Sequence, residues 1–283
     1  MHPAPLDTPP RPPSATFGTA ARTALVLAAL SALLLALVAF EWRPLLGLDE
    51  DITRAAHRWA LDSPALTHTQ RVLSDWVWDP WAMRPLCAVI TGWLWWQGAR
   101  WLALWVAATC ALGTLLQQGL KAAVDRDRPV WTDPVDSAQY AAFPSGHALT
   151  ATVVCGLLVW LLRAYGAGRG VQGVVGALAA LSVLGVGVTR VWLGVHWPTD
   201  VLGGYLLGAF MVSLAMWTYE RRHGTYPRRN ATAATYGNAP RTTPPPDAPP
   251  PPGRGNHDGR LLERAAEPGL LDRAAPGHRG FPS

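Results

Sequence analysis

The chain has 283 residues, of which 49% are hydrophobic and only 15% charged. A water-soluble domain carries about 25% charged residues, so this composition calls for a phase other than water to accept its apolar surface. The net charge of +5 suits contact with an anionic membrane surface, and no nucleic-acid-binding motif accompanies it. Six of the 26 prolines lie in residues 1–13 and twelve from Pro227 onward, which sets two proline-rich tails, 1–22 and 220–283, apart from a body at 23–219. Such tails bury too little apolar surface to fold, and we read them as disordered. Cys87, Cys110 and Cys155 all sit inside apolar runs without metal-ligand spacing, which excludes a disulfide framework and a zinc site and leaves them as small buried hydrophobes.

In chain order, residues 23–40 are the first of six apolar runs of spanning length or close to it. No small-x-small cleavage site precedes Glu41, so this run is read as a retained helix. Residues 41–84 are too polar to cross. Within them Leu48, Ile52, Ala55, Ala56, Trp59 and Ala60 recur at helical spacing opposite Asp51, Arg54 and Arg58, which predicts an amphipathic helix on the bilayer surface. Trp76, Trp78 and Trp81 fit an interfacial aromatic belt. The remaining runs are 85–99, 101–120, 148–162, 171–188 and 201–219. The expected fold is therefore all-α: a polytopic membrane protein of six transmembrane helices with an interfacial segment between the first and second.

Six crossings put both termini on one side and the loops after runs one, three and five on the other. Nine arginines flank the spans on the tail side and nine cations on the other, but three of the latter have a chemical explanation, which favours cytoplasmic termini. The expected location is a cell membrane, with the loop chemistry on its outer face.

That chemistry begins after the third run with Lys121, the charge run Asp125, Arg126 and Asp127, then Arg128 and Pro129, and continues before the fourth with Pro144, Ser145, Gly146 and His147. The next loop on the same side supplies Arg190, His196 and Asp200. Ser145 is placed to cap a helix whose open N–H groups would receive a phosphate, and Gly146 leaves room for close approach. Lys121, Arg128 and Arg190 would surround the other oxygens and favour a more highly charged transition state. His196 is read as the nucleophile, with Asp200 fixing its tautomer, and His147 as the general acid and then base. Such a cage needs neither a metal nor another cofactor. Asp125, Arg126 and Asp127 are read as a solvated charge run, His57, His68 and His223 as surface residues, and Gln117 and Gln118 as bonds between helices.

These residues resemble the type 2 phosphatidic acid phosphatase superfamily, whose motifs KxxxxxxRP, PSGH and SRxxxxxHxxxD all occur here in order. The one departure is Thr189 for the serine before Arg190, which keeps a hydroxyl. The resemblance covers roughly residues 101–219 and implies a six-helix membrane core, lipid phosphate or pyrophosphate substrates and metal-independent turnover through a phosphohistidine. It implies the same roles: phosphate binding by Lys121, Arg128, Ser145, Gly146 and Arg190, with His147, His196 and Asp200 catalytic. The Ala-, Arg-, Gly- and Pro-rich composition suggests a GC-rich bacterial genome and a tilt toward undecaprenyl pyrophosphate over phosphatidic acid or phosphatidylglycerol phosphate. Two other classes stand beside the phosphatase. A six-helix transporter would be expected to carry charge near mid-membrane, and a non-catalytic lipid-phosphate-binding protein would have no need of two histidines.

Overall fold

A computed structural model describes residues 16–223, and these contain helices and connecting loops but no strand. In chain order the helices are α1 (Thr16–Ala39), α2 (Arg43–Asp62), α3 (Pro64–Val72), α4 (Pro80–Trp96), α5 (Arg100–Val124), α6 (Gly146–Ala164), α7 (Arg169–Trp192) and α8 (Pro198–His223), with a π-helical turn, Leu73–Val77, between α3 and α4. Apart from the residues taken into α1 and α8, the two proline-rich tails lie outside the described residues.

Among the described residues five helices are long and apolar enough to cross a membrane: α1, α5, α6, α7 and α8. The expected second span corresponds to α4, which has 17 residues and carries Pro85 in its interior. Leu25 and Leu33 on α1 and Leu178 and Leu181 on α7 face outward, as helices solvated by lipid require.

The middle of the bundle is α6, which touches α4, α5, α7 and α8. Lipid tails are as apolar as leucine, so helices in a membrane associate through close packing rather than through hydrophobic burial. Small residues supply that closeness here. A Cβ at Gly204 would lie 2.6 Å from the Ser145 carbonyl oxygen, and one at Gly208 would lie 2.7 Å from Thr152 Cβ, so α8 reaches the backbone of α6 only because both are glycine. Leu149, Val153 and Leu157 of α6 then pack with Leu102 and Val106 of α5 and Val212 of α8 in one cluster.

Helix ends follow local chemistry. Asp79 caps α4 by accepting from the Trp81 N–H at 2.7 Å, with Pro80 at the first turn where a missing donor costs nothing. Asp125 ends α5 in the left-handed region at φ 44°, and Gly194 makes the same kind of reversal between α7 and α8 at φ 66°. A side chain at Gly194 would also strike Trp131, whose Nε1 would be 2.5 Å from the new Cβ.

Between α1 and α4, α2 is helical as expected, and Leu48, Ile52 and Trp59 of its apolar stripe are exposed, whereas Ala56 and Ala60 of that stripe are buried with Asp49, Thr53 and His57. His57, expected at the surface, is buried and stacks on Trp131 with ring centroids 4.0 Å apart. Burial lowers its pKa. Trp76 and Trp81 are exposed as an aromatic belt requires, but Trp78 packs against α7 where Gly185 leaves space for its ring. Cys87 and Cys110, expected as separate apolar residues, face one another across α4 and α5 as free thiols with sulfurs 2.9 Å apart.

Candidate active site

One end of the bundle gathers the chemistry. The last turn of α5 brings Lys121, the loop at 125–145 brings Arg128, and the first turn of α6 brings Gly146 and His147. The last turn of α7 brings Arg190, and the 193–197 turn brings His196. All six line a single cavity of about 230 Å³ together with Asp79, Arg84, Gln117 and Gln118.

His196 is almost wholly buried. Its Nδ1 is 3.2 Å from Asp200 Oδ2, four residues on in the first turn of α8, and its Nε2 is 3.3 Å from Arg128 Nη1. A carboxylate accepts only, so the Nδ1 atom carries the proton and the Nε2 lone pair is directed toward the cavity. Burial pushes the His196 pKa well below its usual value, and Arg128, Arg190 and Lys121 add to that effect, which favours the neutral ring. Asp200 is itself held in place: its Oδ2 accepts from the Trp197 N–H at 2.9 Å and its Oδ1 from Arg126 at 2.6 Å.

The cations are anchored by carbonyls and hydroxyls, which leaves their charge unpaired by carboxylates. Arg128 donates from Nε to the Tyr140 oxygen at 2.7 Å and from Nη2 to the Gln139 oxygen at 3.2 Å. Burial lowers its pKa, with Asp200 opposing. Lys121 donates to the Ala141 oxygen, and Arg190 donates to Ser74 Oγ at 2.8 Å. His147 Nε2 lies 3.6 Å from Asp79, within reach of an ion pair when the ring is protonated. Among the described residues no group of three or more His, Cys, Asp or Glu side chains is arranged to hold a metal ion.

Ser145 and Asp200 are buried beside the residues that line the cavity. Ser145 occupies the N-cap position of α6, but the expected side-chain cap is not made; its buried Oγ has no hydrogen-bond partner, and its N–H donates to the Asp200 carbonyl at 2.9 Å. Gly146 does leave room for close approach, but Gln117 uses it, since a Cβ there would lie 2.7 Å from Gln117 Nε2. Gln117 and Gln118, expected to bond neighbouring helices, line the cavity.

Arg126 corrects the reading of a solvated charge run. It bridges two buried carboxylates, donating from Nη2 to Asp49 at 2.8 Å and from Nη1 to Asp200 at 2.6 Å. Asp49 was not singled out in the sequence. It lies on α2 with Thr53, Ala56 and Ala60 at helical spacing, and that stripe of small residues signals a face packed on protein.

The profile of the PAP2 superfamily matches residues 102–223. Over that stretch the chain is similar to the PAP2 superfamily. The chain is 31% identical over 135 residues to "Phosphatidylglycerophosphatase B" of Bacillus subtilis, an alignment covering 46% of this chain and 64% of that one. It is 36% identical over 75 residues to "Undecaprenyl-diphosphatase" of Sulfolobus acidocaldarius, covering 26% of this chain and 32% of the other. The chain thus spans just under two thirds of the first relative's length and about a third of the second's. Among solved structures, the transmembrane PAP2-type phosphatidylglycerolphosphate phosphatase of Bacillus subtilis superposes with a TM-score of 0.63 at 26% identity, over 70% of this chain and 96% of that one. Several apolar helices and this relationship make the protein a multi-pass membrane protein.

Proposed function

We propose that the protein is an integral membrane phosphatase that hydrolyses a lipid phosphate or pyrophosphate, without a metal ion, through a phosphohistidine at His196. The observation that carries this reading is the His196 ring, hydrogen-bonded at Nδ1 to buried Asp200 and lining a cavity that four cations, Arg84, Lys121, Arg128 and Arg190, and a second histidine also line.

In the proposed reaction the phosphoryl group sits among Lys121, Arg128 and Arg190 at the N-terminus of α6, with the Ser145 hydroxyl free to turn toward it. His196 Nε2 attacks phosphorus, the phosphorus–oxygen bond breaks, and the departing oxygen takes its electron pair and a proton from His147. Asp200 stabilises the positive imidazole of the phosphoenzyme. Water then attacks phosphorus, gives its proton to His147, and the phosphorus–nitrogen bond breaks with its electrons returning to Nε2. The three cations supply the charge stabilisation that a metal ion gives in other phosphatases.

A sixth crossing by α4 belongs to the same reading. Asp79, Trp81 and Arg84 at its start line the cavity, and α5, which follows α4 after residues 97–99, runs back to bring Lys121 to the same cavity. At about 1.5 Å per residue, α4 is slightly shorter than a hydrocarbon layer of about 30 Å, a mismatch that local thinning absorbs. Six crossings place both ends of the body opposite the site, which we assign to the outer face of a cell membrane, with α2 lying along that surface and the tails in the cytoplasm.

Purified protein in detergent with EDTA, offered phosphatidylglycerol phosphate, undecaprenyl pyrophosphate and phosphatidic acid beside a His196→Ala control, tests class and substrate together. Phosphate release that survives EDTA and disappears in the control is the expected result. A folded protein that releases no phosphate from any of the three would overturn the reading.

A further inference from the structure

We propose that Arg126 and Asp49 are positioning residues for the nucleophile, acting through Asp200, and that α2 is thereby part of the catalytic apparatus; this rests on the phosphohistidine reading above. Neither residue is a fixed position of the three motifs, and Asp49 lies outside the stretch matched by the family profile.

The contacts form a closed network. Arg126 Nη1 donates to Asp200 Oδ1 and also, at 2.7 Å, to Thr199 Oγ1. Arg126 Nη2 donates to Asp49 Oδ2, while Asp49 Oδ1 accepts from the Thr199 N–H at 2.9 Å and the Thr199 hydroxyl donates to Oδ2. Asp49 thus caps the start of α8 from another helix and fixes the turn that carries His196 and Asp200. The side chains of Asp49 and Asp200 are 2% and 0% exposed and that of Arg126 12%. At that burial each charge needs a partner, because removing one member leaves the others uncompensated.

The charge balance explains why two carboxylates flank one guanidinium. Arg126 alone would offset Asp200 and weaken its hold on a positive imidazole. Asp49 restores one negative charge to the cluster, so that Asp49, Arg126 and Asp200 together sum to −1 while His196 is neutral. When the phosphohistidine forms and the ring becomes cationic, the sum reaches zero. The network is therefore better matched to the intermediate than to the resting ring, which is the differential stabilisation that catalysis requires. The stack of Arg126 over the Trp197 ring, at 5.5 Å, keeps the guanidinium in register beside the nucleophile.

The test measures kcat and KM separately on the preferred lipid in detergent for wild type, Arg126→Ala, Arg126→Lys, Asp49→Asn and, as a control on the exposed face of α2, Asp51→Asn. Arg126→Ala should lower kcat about 100-fold or more while KM changes by less than about threefold. Added guanidinium ion should restore about tenfold of that loss, since the Arg126 position keeps a path to solvent. Asp49→Asn should lower kcat about tenfold with KM retained, and Asp51→Asn should match wild type. Wild-type kcat in folded Arg126→Ala, a loss that falls on KM, or a kcat loss that guanidinium leaves untouched would overturn the proposal. Where Arg126→Ala does not fold, Arg126→Lys and Asp49→Asn decide: wild-type kcat in both overturns it, and reduced kcat at constant KM upholds it. A wild-type protein without activity is a failure of the phosphatase reading, visible before any variant is measured.

Discussion

Arg190, in the last turn of α7, donates a 2.8 Å hydrogen bond to Ser74, which sits 116 residues earlier in the π-helical turn before α4. The extra residue of a π turn re-aims the side chains around it, and such turns gather at functional sites. Here the turn offers a hydroxyl to a buried guanidinium whose Nε has no partner of its own. A neutral acceptor holds Arg190 in place without offsetting its charge, so the cation stays available to an anion in the cavity.

Ser74→Ala should therefore weaken catalysis without touching substrate. Loss of a hydrogen bond to a charged group costs about 1.5–3 kcal/mol, equivalent to roughly tenfold or more in kcat/KM. Steady-state kinetics on the folded variant check this, and an unchanged kcat/KM would mean that Arg190 holds its place unaided.

Asp200→Asn keeps the size of the side chain but offers an amide where Nδ1–H needs an acceptor. The wrong tautomer of His196 then points a proton at phosphorus, and kcat should fall by about 10³-fold or more, as in other carboxylate–histidine pairs. A variant within tenfold of wild type would remove Asp200 from the orienting role.

Because burial and three neighbouring cations depress the His196 pKa, the ring should remain neutral below pH 6.5. In the unfolded chain a histidine takes up its proton near pH 6.5. The unfolded state therefore binds more protons as pH falls below that value, and this group withdraws stability there while contributing no penalty above it. The ¹⁵N resonances of histidine-labelled protein, assigned with His196→Ala, should show a neutral His196 ring at pH 5.5. A protonated ring at that pH would contradict the burial argument.

Gly204 and Gly208 test the packing that holds the site together. A methyl group at Gly204 would press on the Ser145 carbonyl and the Ala148 side chain, and one at Gly208 on Thr152. Overpacking of that kind costs about 1–3 kcal/mol. Gly204→Ala should unfold at lower temperature in detergent and lose activity with it, because the Ser145 backbone is bonded to Asp200. Unchanged thermal stability would show that α6 and α8 can move apart freely.

The motif residues were legible because their spacing is local: Lys121 to Arg128, Ser145 to His147 and Arg190 to Asp200 each fall within a helix end and its adjoining turn. Apolar runs likewise marked the helices, although α4 proved shorter than the membrane-crossing length of the others. Arg126 and Asp49 were hidden because their partners lie 74 and 77 residues away in sequence and because a charge beside charges reads as solvated. Hydropathy sorts α2 into apolar and polar faces but does not show which small and polar residues pack on protein. Leu48 and Ile52 are exposed, while Asp49, Thr53 and Ala56 are buried. His57 is buried with them, and only its stack on Trp131 could have announced it.

The most direct measurement is a rapid-quench experiment on purified protein with substrate labelled at the transferred phosphate, read as label bound to protein and mapped by peptide. Label that is stable to base, labile to acid, carried on the peptide containing His196 and absent from His196→Ala is the predicted result. Full phosphate release with no protein-bound label at any time within a turnover, or label on another residue, would contradict the phosphohistidine.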